Sequence, residues 1–211
     1  MFDFYASSRL SKKESWLTSL TDLMMLLVVF FVIQIAPESV LSKEAARQKK
    51  LLDETIKELQ IFLEKKKIIE KVFIKRLGNT ANISFDNSFI FPVGSSEMGE
   101  KQKLILTGII KKIIKLKETH EVKIEGHTDN TPISTKLYHS NWELSSARAL
   151  SVLRVFIAND YNQERLSAQG FGEFHPLFPN TDENGKNIPE NQAKNRRVRI
   201  HIKGTEHGYG G

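Results

Sequence analysis

Hydrophobic residues run almost without interruption from residue 16 to residue 36, and this stretch predicts a membrane-spanning helix. About 20 residues of α-helix extend about 30 Å, the thickness of a bilayer's hydrocarbon core. The stretch is longer than the apolar region of a cleaved signal peptide and lacks a small-residue cleavage pattern at its end. We therefore expect a retained single span, preceded by a short polar leader at residues 1–15.

One carboxylate, Asp22, interrupts this apolar stretch. A charge at such a depth costs about 3 kcal/mol on insertion scales. At helical spacing the hydroxyls of Thr18 and Ser19 lie on one side of Asp22, and Thr21 precedes it directly. Asp22 either pairs with a partner helix for assembly alone or relays an ion, with Thr18 and Thr21 as candidate companions. Both interpretations require other transmembrane helices, because a lone helix cannot enclose a pathway.

Residues 37–78 are predicted to form a helical linker, with Pro37 either ending the membrane helix or beginning the next one. Apolar residues recur along it at helical spacing, at Leu52, Ile56, Leu59 and Leu63. The pattern breaks at three consecutive lysines, residues 65–67, and resumes at residues 68–73. Such a stripe suits a solvated spacer, a surface-lying segment that blocks an ion path, or a parallel dimer contact. We favour the dimer contact.

The periodicity changes after Gly78, which ends the linker helix, and residues 79–203 predict one α+β domain. The pattern predicts strands at 81–91, interrupted by a turn at residues 86–88, and at 121–125, 165–170 and 197–203, with helices at 102–116 and 141–158. This order gives an α+β sandwich with helices on one face of a mixed sheet. Residues 204–211 are expected to form a flexible tail.

Composition and residue types exclude several classes of function. The net charge of +6 is spread among acidic residues without an aromatic-interleaved basic platform, so we expect no nucleic-acid partner. The absence of cysteine excludes a lipoprotein anchor. His120, His127, Asp129 and His139 do not have the spacing of a metal cage, so neither a metal nor a cofactor is expected. No nucleophile elbow is present, and the chain is not expected to be an enzyme.

Four motifs in the domain carry a family resemblance. They are IEGHTDN at residues 124–130, NWELS at 141–145 followed by ARA at 147–149, GFGE at 170–173 with Pro176, and NRRV at 195–198. In this order and spacing they resemble the signature of OmpA-like peptidoglycan-binding domains. The longer insert between Asp129 and Arg148 is more similar to the MotB family of flagellar stator subunits.

The membrane segment supports the MotB resemblance independently. Trp16, then Asp22 followed by Leu23 and Met24, then two phenylalanines at residues 30–31 resemble the MotB span. The resemblance implies that Asp22 carries a proton or a sodium ion beside a MotA-like multi-span partner. Thr21 stands where Ala or Ser is common, and the leader and linker are short. The short linker leaves the family's plug helix unassigned and also admits a motor subunit of a Zorya-type anti-phage system.

The resemblance also maps a ligand site onto the domain. Asp129 would bind the ammonium of a peptidoglycan stem peptide's diaminopimelate, and Arg148 would bind its carboxylate bidentately. Spacing alone leaves an internal Asp129–Arg148 salt bridge equally open. Asn141 and Leu144 are expected to shape the pocket, and Thr128 and Arg196 to line it.

These observations predict a homodimeric, single-pass protein of the bacterial inner membrane. Its N-terminus would be cytoplasmic and its C-terminal domain periplasmic and bound to peptidoglycan. Such a protein would conduct ions as the anchored stator subunit of a rotary motor. A static tether between membrane and wall is the alternative from another class, and it has no need of Asp22.

Overall fold

The computed structural model describes the backbone of residues 3–205 and the side chains of residues 16–33 and 43–205. The chain divides into two compact units, Met1–Ala46 and Arg47–Gly211. Helix α1 spans Asp3–Lys65, so position 37 is not a break in the helix. The predicted tail at residues 206–211 lies outside the described residues, as do the side chains of the predicted leader.

In the first unit, α1 contains the predicted membrane segment. Trp16–Ile33 is long and apolar enough to cross a bilayer, and its side chains are all exposed. Exposure of so many large apolar side chains is costly in water and favourable in lipid.

The second unit is an α+β domain, as predicted. Its further elements are β1 (Val72–Leu77), β2 (Thr80–Asp86), α2 (Asn87–Ile90), α3 (Glu100–Ile113), β3 (His120–His127), α4 (Asn141–Ile157), β4 (Leu166–Gly170), α5 (Pro189–Asn195) and β5 (Arg197–Gly204). The five strands form one sheet in the order β1-β2-β5-β3-β4. Strands β3 and β4 are parallel and the other neighbours are antiparallel, which confirms the mixed sheet.

The core lies between one face of the sheet and the helices. Ile83, Ile200 and Ile124 stand opposite one another across three strands and are fully buried. They pack with buried side chains of α3 and α4 such as Ile109 and Val152. The alternation of buried residues along β2, β3 and β5 leaves polar side chains of these strands on the opposite face of the sheet.

Strand β1 corrects the helical prediction for residues 72–77. Val72 is buried and Phe73 is exposed, so the segment alternates with a period of two rather than following a helix. A two-residue turn joins β1 to β2, with Gly78 in the left-handed region at φ 59°. The glycine–asparagine pair at residues 78–79 is a typical hairpin signal, which the apolar stripe obscured.

The Leu52, Ile56, Leu59 and Leu63 stripe is not a dimer contact in this structure. Leu52, Leu59 and Leu63 are at most 1% exposed and Ile56 packs against the same core, inside the chain's own second unit. Salt bridges from the carboxylate of Glu58 to Lys112 and Lys115 support the packing of α1 beside α3. The stripe therefore forms part of the domain core, and the prediction that it pairs two copies is wrong.

The short helix α2 replaces the predicted continuation of the second strand. The Asp86 carboxylate accepts hydrogen bonds from the Ser88 backbone N–H (2.9 Å) and hydroxyl (2.7 Å), which begins the helix. The chain after α2 then crosses to α3 through residues 91–99, which reach the site described below.

Candidate functional site

Two glycines allow α4 to lie directly on the sheet. Gly126 in β3 and Gly170 in β4 are neighbours in the parallel register. A Cβ at Gly126 would lie 2.1 Å from the Ser145 carbonyl oxygen, and one at Gly170 would lie 2.2 Å from Ser146 Oγ. Because no side chain separates them, the start of α4 lies close to the C-terminal ends of β3 and β4.

Asp129 lies just beyond β3 and is 6% exposed. Its Oδ1 accepts a hydrogen bond from the Thr131 backbone N–H at 3.0 Å, and its Oδ2 accepts one from Arg196 Nη1 at 2.5 Å. The preceding residue, Thr128, is held by a backbone hydrogen bond to the Gly172 carbonyl, and its hydroxyl is buried without a partner. The Arg196 side chain is 40% exposed, so the pair opens to solvent on one side.

The first residue of α4, Asn141, connects this turn to the segment after β4. Ser140 caps the helix by accepting a hydrogen bond from the Glu143 backbone N–H. The Asn141 side-chain amide donates to the Thr131 carbonyl at 3.0 Å and to the Glu173 carboxylate at 2.6 Å. Its contact to the Asp129 carbonyl is longer, at 3.4 Å. Asn141 thus connects the Asp129 turn to Glu173, and Leu144, three residues later on α4, is buried with 4% of its surface exposed.

Arg148 lies one helical turn after Leu144 on α4 and is 4% exposed. Its Nε donates to the Ser95 carbonyl at 2.8 Å, with a longer contact from Nη2 to the Pro92 carbonyl at 3.5 Å. The guanidinium carbon lies 5.6 Å from the Phe91 ring centre. Burial lowers the pKa of Arg148 to about 10, so the side chain remains charged at neutral pH.

Asp129 and Arg148, predicted to bind one ligand together, do not form a hydrogen bond with each other in the described part of the chain. Asp129 pairs with Arg196 instead. The internal salt bridge considered from spacing is therefore absent from the described part of the chain. Within that part, Arg148 Nη1 has no hydrogen-bond partner, while Nε and Nη2 hold the loop after α2. Arg148 is a buried cation with one donor group still available.

Three further residues belong to the site. Glu173 holds Asn141, and Tyr138 shares a 2.6 Å hydrogen bond with Ser96, which fixes the loop that accepts from Arg148. Glu173 falls in one of the sequence motifs, so its proximity could have been anticipated. Tyr138 and Ser96 are 42 residues apart and carry no pattern that indicates their pairing.

Histidines near the site do not form a metal centre. His127 is buried and stacks on Phe171 with ring centres 5.1 Å apart. Burial lowers the pKa of His127, and the His127 imidazole, 3.7 Å from the Glu125 carboxylate, together with Lys123 and Arg199, lowers the pKa of Glu125 to about 2. Among the residues described, no three His, Cys, Asp or Glu side chains are grouped closely enough to hold a metal ion.

The predicted ion-relay residues lie in the first unit. Asp22 is exposed on α1, and no hydrogen bond or ion pair to it is made by any described side chain. The Thr21 hydroxyl donates to backbone carbonyls one turn earlier, to Thr18 at 2.8 Å and Leu17 at 3.1 Å. Thr18 lies on the same part of the helix and has contacts of its own.

Comparison with known proteins places this geometry in a family. The model of the OmpA family matches residues 90–201, which include β3, α4, β4 and every residue of the site in the second unit. This chain belongs to the OmpA family. Its relatives identify the domain more narrowly as MotB-like. Motility protein B of Bacillus subtilis is 30% identical over 75% of this chain and 58% of its own length.

Solved structures agree with this assignment. A MotB-like protein from Desulfovibrio vulgaris is 25% identical and superimposes with a TM-score of 0.65, covering 79% of this chain and 99% of that one. The periplasmic domain of Helicobacter pylori MotB is 26% identical with a TM-score of 0.55, over 63% and 82% of the two chains. The OmpA-family, MotB-like fold predicted from the motifs is therefore confirmed.

Proposed function

We propose that this protein is the wall-anchored, ion-conducting subunit of a membrane rotary motor, working beside a MotA-like multi-span partner. The observation that carries the proposal is Asp22 inside the apolar segment Trp16–Ile33, in one chain with a MotB-like domain. The transported ion would be a proton or sodium. Ion entry would neutralise Asp22, the partner helices would rearrange, and release would restore the charge.

Asp22 has no described side chain that compensates its charge, which supports a partner protein with further transmembrane helices. An ionised carboxylate in hydrocarbon is unfavourable by about 3 kcal/mol or more. The partner must supply helices that surround Asp22 and connect it to water. The Thr21 hydroxyl already donates to the backbone, so it can act only as an acceptor, toward a protonated Asp22 or a passing cation.

The domain would bind peptidoglycan at the mouth formed by Asp129, Arg148 and Arg196. A diaminopimelate end carries an ammonium and carboxylates, which are complementary to Asp129 and to the available Nη1 of Arg148. Arg196 neutralises Asp129 in the ligand-free molecule, so an entering ammonium must share or displace that contact. The partly exposed Arg196 can then turn to a ligand carboxylate without losing charge.

The proposed arrangement places the N-terminus in the cytoplasm, the span in the inner membrane and the domain in the periplasm. Wall attachment would supply the fixed point against which the motor works. The homodimer expected for this subunit needs an interface other than the buried Leu52, Leu59 and Leu63.

Two alternative functions are each supported by a particular similar protein. Zorya protein ZorB of Escherichia coli is 27% identical over 90% of this chain and 87% of its own length, which favours a motor in anti-phage defence. The T6SS cell wall anchor of Pseudomonas aeruginosa is 27% identical with a TM-score of 0.58, over 70% and 97% of the two chains, which favours a static tether. Flagellar genes or a helicase and nuclease beside the gene would separate the two motors.

The motor is distinguished from the tether by Asp22→Asn, co-expressed with the MotA-like partner. Asparagine keeps the shape of the side chain but cannot cycle charge, so ion flux and motor output should be lost. Asp22→Glu should retain partial function at best, and Thr18→Ser is the control that keeps a hydroxyl in the same helix. If Asp22→Asn showed normal ion flux and motor output, the ion-relay role would be wrong and the static tether would be the remaining function.

A further inference from the structure

Strand β1 presents an unusual outer row of alternating cationic and apolar side chains. The row is Phe73, Lys75 and Leu77, and the exposed Lys71 lies just before it, at the end of the 3-10 turn Ile69–Lys71. Phe73 is 67% and Leu77 74% exposed, while the intervening Val72 is buried. The solvent face of an edge strand is ordinarily polar, so two large apolar side chains on it need an explanation.

The surroundings of the row are basic. The next outward-facing positions are Thr80, Asn82 and Ser84 on β2, followed by Arg199, His201 and Lys203 on β5. The fourth outward-facing residue of β2 is Asp86, and Arg199 is paired with Glu125 of β3 at 3.5 Å. Neither Lys75 nor Lys203 is paired with a carboxylate among the described residues. The lysines at residues 65–67, just before the strand, are also exposed.

This combination fits the surface of an anionic bilayer. Apolar side chains can insert among the lipid headgroups while neighbouring lysines contact lipid phosphates, as at interfacial membrane-binding surfaces. The charge pattern disfavours a second copy of the chain on this edge, because Lys71 and Lys75 would then face a surface of the same sign. The chain also carries a candidate span, so a bilayer is available to it.

We infer that the outer row of β1 docks the second unit on anionic lipid headgroups. This contact goes beyond wall binding, since it uses none of Asp129, Arg148 or Arg196. The outer row of β1 is not part of the domain core, and this contact gives its exposed side chains a role.

The test uses the fragment of residues 47–211, which contains a complete core of its own. Relatives of this domain have been crystallised as isolated periplasmic domains. Sedimentation with vesicles of phosphatidylcholine, with and without phosphatidylglycerol, should show binding only to the anionic vesicles and weakening by salt.

Paired variants assign the binding to the row. Lys71→Gln with Lys75→Gln should weaken vesicle binding about tenfold or more, since each lysine near an anionic surface contributes roughly a factor of five. Phe73→Ser with Leu77→Ser should weaken it comparably. The matched controls are Lys101→Gln with Lys111→Gln, and Leu104→Ser, which is 72% exposed on α3. The controls should bind as the unaltered fragment does.

Four outcomes would overturn the inference. The first three are no binding to anionic vesicles, equal binding to neutral vesicles, and equal losses of binding in the control variants. The fourth is binding to a soluble polyphosphate whose affinity is unchanged by Phe73→Ser with Leu77→Ser. Self-association that these variants abolish without any vesicles would assign the row to a second copy instead. Far-ultraviolet circular dichroism and sacculus binding, which the row should not affect, verify that each variant is folded.

Discussion

Arg148 is a single residue that both holds the fold and is proposed to bind a ligand. Two of its donor nitrogens contact the loop after α2, and Nη1 is left for a ligand. Its role therefore cannot be tested by loss of binding alone, because removal leaves two carbonyls unsatisfied. The partner that the sequence suggested, Asp129, is neutralised by Arg196 instead.

We predict that Arg148→Ala and Asp129→Asn each abolish sedimentation with purified sacculi. Arg148→Ala should also lower the free energy of unfolding by about 1–3 kcal/mol, the cost of unsatisfied carbonyls. Arg154→Ala is the matched control, since Arg154 is exposed on the same helix. If Asp129→Asn remained folded and pelleted normally, the proposed mouth would not be the wall site.

His120 makes the stability of the domain depend on pH. The ring is fully buried with Nδ1 contacting the Thr119 hydroxyl at 2.8 Å, and burial lowers its pKa from 6.5 to about 4. The unfolded state binds the proton more tightly, so stability falls as pH drops from about 6.5 to about 4.

We predict that this histidine accounts for about 3 kcal/mol of stability lost across that interval. Denaturant unfolding of residues 47–211, followed by Trp142 fluorescence, measures the change. His120→Leu should flatten the curve, while the smaller contributions of His127 and His201, whose pKa values burial also lowers, should remain. An unchanged pH dependence in His120→Leu would contradict the assignment.

At the scale of the element, α4 positions the site because glycines let it approach the sheet. We predict that Gly126→Ala destabilises the second unit by about 3 kcal/mol or more, since the added Cβ meets backbone at Ser145. Gly99→Ala is the control, because its Cβ would meet only the flexible end of Gln102. Thermal unfolding compares the two, and equal melting temperatures would show that α4 adjusts freely.

The buried stripe of α1 gives a second prediction at this scale. Leu59→Ala should cost about 2–5 kcal/mol of unfolding free energy, the usual range for a leucine removed from a core. Ile61→Ala, 64% exposed two residues later, should change stability by less than about 0.5 kcal/mol. Sedimentation velocity should show the same oligomeric state for both variants. If Leu59→Ala alone changed the oligomeric state without losing stability, the stripe would be a dimer contact after all.

The elements differ in how well sequence alone could predict them. The helices α3 and α4 and the strands β3 and β5 have clear periodicity, and their bounds agree within a few residues. Strand β1 could not be recognised, because isoleucines and lysines at residues 65–71 extended the helical pattern into it. The Arg196–Asp129 pair joins residues 67 apart, and the resemblance indicated that both lie at the site but not which partners meet.

At the scale of the whole molecule, the chain combines two compact units whose proposed tasks differ. Asp22 lies in Met1–Ala46, whereas Asp129 and Arg148 lie in Arg47–Gly211 with a complete core of its own. The proposed ion-relay group and the proposed wall-binding groups therefore belong to different compact units of the chain. This separation allows the anchored motor to be tested as two independent functions of one chain.

We predict a double dissociation in the full chain, co-expressed with its MotA-like partner. Asp22→Asn should abolish ion flux yet pellet with sacculi as the unaltered protein does. Asp129→Asn should no longer pellet with sacculi, because the Asp129 charge is the proposed ligand for the stem-peptide ammonium. Its ion flux through Asp22 should be unchanged. Ion flux into cells and sacculus sedimentation are measured on the same preparations. Loss of wall binding in Asp22→Asn would contradict independence, and undiminished flux in that variant would remove the ion relay from the proposed function.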